Sequence, residues 1–262
     1  MAFAGYAEYR AEVSDAALMR LPVETNMKSG LFREQIARQF RITVRDSGKF
    51  TPSAETIALV HKHFARHGAF PRLWCDYIPD IQGPPPVVIL LHGTGRDGLS
   101  QIEMWRETAA MPGMALLAPN SFGLSWDLTD PEPAFCAQIV ETIAEAHDID
   151  RDRIFLFGHS DGAAYAQSLL MVTQGPWRAA ALHAGYASSV TRTAGQTKPY
   201  RLCIAEKKQI FSVSQARAIG EKRAAQGQPN DLIPIPRHDH WFCGIGPQIA
   251  EDSWGWFASL PQ

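Results

Sequence analysis

Short apolar runs alternate with stretches of helical spacing over the last two thirds of the chain. The runs have the length of strands and contain few polar residues, and they cover 87–91, 114–118, 153–157, 179–183, 200–204 and 232–235. Between and after them, apolar residues recur at the spacing of an amphipathic helix, over 100–110, 134–147, 162–173, 213–226 and 247–258. Strands without polar alternation are buried on both faces, which is typical of a parallel sheet with helices on each side. The pattern therefore predicts an α/β fold.

The first 80 residues follow a different pattern. The segments "FRITVRDSGKF" and "RLWCDYIPD" predict strands, and "SAETIALVHKHFARHG" between them predicts a helix. No element is predicted for residues 1–35. We interpret residues 1–80 as an N-terminal extension with antiparallel edge strands of the same domain, and 81–262 as the core that holds the parallel sheet.

The composition is that of a soluble globular protein. The chain has 262 residues, 45% of them apolar and 20% charged, which suffices for one large α/β domain with a buried core. Its formal net charge of −2 leaves no basic excess with which to bind nucleic acid or an anionic membrane. No stretch has the roughly 20 apolar residues of a membrane span, and no apolar run of signal-peptide length begins the chain. The four cysteines are widely spaced, which indicates reduced thiols and a cytoplasmic location.

A serine lies between two glycines at the point where a strand pattern changes to a helix pattern. The segment "RIFLFGHSDGAAYAQSLL" places Ser160 in such a strand-to-helix turn, between Gly158 and Gly162. Small flanking residues allow the strand and the helix to pack closely around a strained nucleophile. The five-residue pattern alone is common, but its context favours a nucleophilic Ser160 over an ordinary turn with an incidental serine.

A second loop, "VVILLHGTGRDG", supplies candidate donors for an oxyanion hole. It follows the apolar strand 87–91, so the backbone N–H of Thr94 or Gly95 can face the serine. The other donor is the N–H of Asp161, directly after the nucleophile. We expect His92, at the end of the strand, to be structural.

From about Pro85 to Leu260 the chain resembles the α/β-hydrolase superfamily. Within it, the chain is similar to the group of esterase D, feruloyl esterases and polyhydroxybutyrate depolymerases. The resemblance rests on "LLHGTGRDG", "APNSFGLSWDL", "DIDRDRIFLFGHSDGAAYA" and "PIPRHDHWFCGIGPQIAEDSWGWF". It implies an α/β-hydrolase catalytic core, with a mostly parallel sheet and helices on both faces, that cleaves carboxylic esters without a metal or organic cofactor.

The resemblance also points to a base and to an unusual acid position. In the similar group an aspartate-histidine-aromatic segment carries the base, which matches "DHWF" and predicts His240, with His238 as the alternative. The family's aspartate follows the strand here written "YRLCI", where Lys208 stands instead. Glu206, in the same loop, is our candidate for the acid. Two alternatives stay open. The base has no direct acid partner, or the acid is one of the remaining carboxylates, which are Asp161, Glu221, Asp231 and Asp239.

Two further groups of residues have both a functional and a structural interpretation. The aromatic residues Phe122, Trp126, Trp241 and Phe242 lie in loops that border the predicted site. They form a pocket for an aromatic or bulky acyl group, or they pack the loops. His61, His63 and His67 fall on the predicted N-terminal helix, which we interpret as an ordinary surface helix rather than a metal site.

The sequence thus predicts a serine esterase that acts through an acyl-enzyme on aromatic or short-acyl esters, small or polymeric. Alternatives are a polyester or polyhydroxyalkanoate depolymerase, a thioesterase or an acyltransferase. Because Lys208 occupies the usual acid position, a catalytically impaired homologue that acts as a binding protein is a further alternative. We expect no nucleic-acid or membrane partner, and the oligomeric state stays open.

Overall fold

The computed structural model describes residues 52–67, 70–94, 96–122, 125–128, 132–188, 197–206, 210–238, 240 and 245–261. These residues form one eight-stranded sheet in the order β1-β2-β4-β3-β5-β6-β7-β8. The strands are β1 (His61–His67), β2 (Phe70–Tyr77), β3 (Val87–Leu91), β4 (Ala115–Pro119), β5 (Ile154–His159), β6 (Ala179–His183), β7 (Tyr200–Ala205) and β8 (Asn230–Ile235).

The sheet is parallel from β4 to β8 and antiparallel at the β1 edge. Strand β2 pairs antiparallel with both β1 and β4, whereas the other neighbouring strands run parallel. Every residue of β3, β4, β5 and β6 is buried, as the continuous apolar runs predict. The prediction of a mostly parallel, two-sided sheet is confirmed.

Helices cover both faces of the sheet. They are α1 (Ala54–Leu59), α2 (Gly98–Ala110), α3 (Glu132–Ala146), α4 (Asp161–Val172), α5 (Val213–Ala225) and α6 (Gly246–Ser259). One apolar cluster joins α2 and α6 to one face of the sheet through residues such as Trp105 and Phe257. A second cluster joins α3, α4 and α5 to the other face, for example through Phe135, Leu169 and Ala216. In the described part of the chain, no helix is long and apolar enough to cross a membrane.

The helix predicted over 53–68 is wrong beyond Leu59. Residues His61–His67 form β1, which pairs along its whole length with β2 from the His61–Asp76 pair to the His67–Phe70 pair. The alternation of a strand places His61 and His63 on one face, where their rings lie 3.0 and 2.7 Å from the Asp76 carboxylate oxygens. This cross-strand pairing outweighs the local helical spacing. The strand predicted at "FRITVRDSGKF" lies outside the described residues.

Candidate active site

Ser160 occupies a strained turn between β5 and α4. Its backbone has a φ of 56° and a ψ of −117°, a conformation that residues other than glycine rarely adopt. The Ser160 N–H donates to the carbonyl oxygen of His183 at 2.8 Å, and the Ser160 carbonyl accepts from the N–H of Ala163 at 3.0 Å. The surrounding backbone therefore holds the serine in this conformation and leaves its hydroxyl at the carboxyl edge of the sheet.

Three glycines make room for this turn. A Cβ on Gly158 would lie 2.2 Å from the carbonyl oxygen of Gly162, and a Cβ on Gly162 would lie 2.1 Å from that of Leu91. A Cβ on Gly185 would lie 2.0 Å from the carbonyl oxygen of Ser160. The two flanking glycines belong to the sequence motif, whereas the role of Gly185 could not be predicted from the sequence, because its neighbour Ser160 is 25 positions away in the chain.

His240 lies next to Ser160, although 80 residues separate them along the chain. Its Nε2 is 2.9 Å from the Ser160 Oγ, and the imidazole is almost fully buried. Phe211 stacks on one side of the ring, with a centroid distance of 6.2 Å and an interplanar angle of 20°. His238, the alternative base, instead packs against His183 at a centroid distance of 5.5 Å. The geometry is that of a hydroxyl and a base ready for proton transfer.

The surroundings of His240 favour the neutral imidazole. Burial, followed by the nearby charges of His238 and Arg96, lowers the pKa of His240 to about 3. A base must be unprotonated to accept a proton, and a His240 with this pKa is unprotonated at neutral pH.

The structure does not bring Glu206 to this histidine. The Glu206 side chain is exposed, and no hydrogen bond or ion pair joins it to His240. Other carboxylates weighed from the sequence have other partners or face solvent: Asp231 pairs with Arg201 at 2.8 Å, and Glu221 is exposed on α5. Lys208 and Asp239 lie outside the described residues.

The loop after β3 lies beside Ser160, since a Cβ on Gly93 would lie 3.3 Å from the Ser160 Cβ. Within the described part of the chain, the backbone N–H groups of Thr94, in this loop, and of Asp161, the first residue of α4, donate to no backbone carbonyl. His92 holds the start of the loop after β3. Its Nδ1 lies 2.8 Å from the Gly93 carbonyl oxygen, and its Nε2 accepts the backbone N–H of Ser121 at 3.0 Å. Gly95, the other predicted donor, lies outside the described residues. Thr94 and Asp161 can supply the two donors that an oxyanion requires.

The predicted aromatic residues have different environments. Trp126 is buried, donates its indole N–H to the His92 carbonyl at 2.7 Å and stacks on Tyr165. It therefore packs the loop and supports His92. Phe122, by contrast, is 46% exposed. Trp241 and Phe242 lie outside the described residues.

A pair of buried histidines beneath the serine was missed by the sequence analysis. The Nδ1 atoms of His159 and His183 lie 2.9 Å apart, and the His159 ring lies 5.3 Å from that of His240. Burial, with the neighbouring histidines, lowers the pKa of both well below the usual value. A signal existed, since both histidines end apolar strands and a parallel register places them side by side. Among the residues that the structure describes, no cluster of three or more potential ligands is arranged for a metal ion.

Solved structures of several enzymes resemble this chain. The fluorophosphonate-binding serine hydrolase FphF of Staphylococcus aureus is 11% identical, covers 77% of this chain and 98% of its own, and has a TM-score of 0.62. S-formylglutathione hydrolase FrmB, also from S. aureus, is 12% identical over 76% of this chain and 99% of its own, with a TM-score of 0.63. The esterase Est2 of Thermogutta terrifontis is 14% identical over 78% and 97%, with a TM-score of 0.63. No protein-family profile and no curated protein sequence matches the chain. At these identities the likeness is one of fold.

Proposed function

Because the chain has the α/β-hydrolase fold, we propose that it is a serine esterase that cleaves carboxylic esters through an acyl-enzyme on Ser160. The observation that carries the proposal is the 2.9 Å contact between His240 Nε2 and Ser160 Oγ at a strained strand-to-helix turn. His240 is unprotonated at neutral pH, so its Nε2 can accept the Ser160 proton.

The proposed reaction has two halves. His240 Nε2 takes the proton of the Ser160 hydroxyl while its oxygen attacks the acyl carbon, and the N–H groups of Asp161 and Thr94 stabilise the resulting oxyanion. The intermediate collapses, His240 returns the proton to the departing alcohol, and an acyl-enzyme remains. Water then attacks this ester with His240 again as the base, which releases the acid and restores Ser160.

The proposed substrates are aromatic or short-acyl esters. The exposed ring of Phe122 supports an acyl group of this kind, and Trp241 and Phe242 are proposed to join it. A thioester is the second candidate, because FrmB is named as an S-formylglutathione hydrolase. Polymeric esters are also proposed as substrates. We place the enzyme in the cytoplasm, which the buried free thiols of Cys75, Cys136 and Cys203 support.

Hydrolysis of p-nitrophenyl acetate and butyrate, compared with matched thioesters, tests this function. Labelling of Ser160 by a fluorophosphonate, located by peptide mass spectrometry, tests the nucleophile without assuming a substrate. We expect turnover of the esters and labelling at Ser160. A folded protein that neither turns over esters nor takes the label would instead support the binding-protein alternative.

Glu206→Gln is expected to keep kcat/KM within about twofold of the wild type, whereas loss of a triad carboxylate lowers kcat by up to about 10⁴-fold. The reason is that the Glu206 side chain is exposed and makes no contact with His240. Steady-state hydrolysis of p-nitrophenyl acetate measures the effect, with Glu221→Gln, at another exposed glutamate, as the control. A hundredfold loss confined to Glu206→Gln would show that this carboxylate reaches the base during turnover.

The pH profile should lack the acid limb of an ordinary histidine. The base is active when unprotonated, and its folded pKa is about 3, so lowering the pH from 8 to 5.5 leaves it competent. We expect kcat/KM to change by less than about twofold over this range, where a base with a pKa near 6.5 would lose roughly tenfold. Initial rates with an uncharged ester, with circular dichroism at each pH to verify folding, measure the profile. A midpoint near pH 6.5 would contradict the assigned environment of His240.

A further inference from the structure

The carboxylate of Asp161 is not used by the proposed reaction, which needs only the backbone N–H of this residue. That carboxylate accepts the backbone N–H of Trp126 at 2.9 Å. The donor belongs to the loop after β4, in the peptide bond that joins Ser125 to Trp126. The residue that follows Ser160 is therefore tied to a neighbouring loop by a hydrogen bond.

The same loop continues to the other oxyanion donor. Ser125 Oγ lies 3.0 Å from Thr94 Oγ1. Either hydroxyl can be the donor in this contact. A continuous chain of contacts thus runs from Thr94 through Ser125 and the N–H of Trp126 to the Asp161 carboxylate. Its two ends, Thr94 and Asp161, are the residues whose backbone N–H groups form the proposed oxyanion hole.

A negative side chain next to the position of a developing oxyanion is unfavourable on electrostatic grounds. The hydrogen bond from the Trp126 N–H and the nearby Ser125 hydroxyl favour the charged form, whereas burial disfavours that form and, as the larger effect, raises the pKa of Asp161. The side chain of Trp126 is also fixed, since its indole N–H donates to the His92 carbonyl oxygen at 2.7 Å. The carboxylate thus contributes to a clamp that holds the loop after β3 against the start of α4.

We propose that the Asp161 carboxylate is a positioning residue that sets the spacing of the oxyanion hole by holding Thr94 through Ser125. The inference rests on the proposed function and adds a requirement to it. Donors to an oxyanion must lie about 2.7–3.1 Å from the developing charge. Loss of the chain leaves both N–H groups present but no longer held at a common distance from the substrate oxygen.

The test is a double-mutant cycle on ester hydrolysis with Asp161→Ala, Ser125→Ala and the double variant. Each keeps the backbone N–H groups of residues 94 and 161. We expect each single variant to lose roughly 10- to 100-fold in kcat with KM within about twofold, because the lost interaction belongs to the transition state. The double variant should be no slower than the slower single variant, since both break one chain. Ser125→Thr keeps the hydroxyl and should restore kcat to within about threefold of the wild type.

Asp150→Ala is the matched control. Asp150 also accepts a backbone N–H and a side-chain donor, from Asp152 and Arg153, but it precedes the opposite end of β5. This variant should leave kcat unchanged. If Asp161→Ala fails to fold, the half-buried position 125 carries the test through its alanine and threonine variants.

The outcomes separate the inference from the function. An active wild type with unchanged kcat in Asp161→Ala and Ser125→Ala overturns the positioning role alone. So do losses that multiply in the double variant, or losses confined to KM. A wild type that is neither active on esters nor labelled by a fluorophosphonate overturns the proposed function, and the inference falls with it.

Discussion

Ser160→Ala is expected to lower kcat for p-nitrophenyl esters by about 10⁴-fold or more and to remove fluorophosphonate labelling. The variant lacks the oxygen that attacks the acyl carbon, while the N–H groups of Thr94 and Asp161 remain. Its stability should change by less than about 1 kcal/mol, because the Ser160 side chain makes no capping hydrogen bond to α4. Steady-state kinetics and urea unfolding measure the two effects.

His240→Ala should show a loss of similar size, and the double variant should be no slower than either single one, because serine and base act as a unit. Ser168→Ala, on the same helix, removes a hydroxyl that donates only to the Ala164 carbonyl and serves as the control. Retention of more than a tenth of the activity by Ser160→Ala would assign the reaction to another residue.

Gly162→Ala is expected to destabilise the fold by roughly 3–5 kcal/mol, at the upper end of single substitutions. The added methyl carbon would lie 2.1 Å from the carbonyl oxygen of Leu91 and 2.5 Å from that of His92. Both obstacles are backbone atoms of β3 and the loop after it, so the clash cannot be relieved by a side-chain rotation. Helix α4 would have to move away from the sheet, which would displace Ser160 as well. The free energy of unfolding in urea measures the effect, and the residual esterase activity reports on the displacement.

Gly255→Ala, the same change at another glycine, is expected to have the opposite effect on the free energy of unfolding. Gly255 lies within α6, and a Cβ there meets nothing within 4 Å. Alanine should therefore stabilise the protein by up to about 1 kcal/mol through helix propensity. Equal effects of the two alanines on the free energy of unfolding would contradict the close approach of α4 to β3.

Much of the core could be predicted from the chain alone, because its signals are local. Strands β3 and β6 begin and end where their apolar runs do, and the other core elements agree within a few residues. The turn at Ser160 was equally accessible, since the strand, the glycines and the helix are contiguous in "RIFLFGHSDGAAYAQSLL". Burial on two faces and backbone sterics act over a few neighbouring residues, so they leave a readable pattern.

Tertiary structure decided the parts that depend on distant partners. Residues His61–His67 form a strand because β2 pairs with them, and nothing within the segment itself indicates that partner. The same holds for the His159–His183 contact, the space required at Gly185, and the choice of His240 over His238 beside Ser160. The exposure of Glu206 likewise depends on the path of the loop that follows β7. The sequence by itself determined the elements and the strand-to-helix turn at Ser160, because these follow from local periodicity and sterics. Only the tertiary structure decided which side chains meet, because those contacts depend on strand register and loop paths over tens of residues.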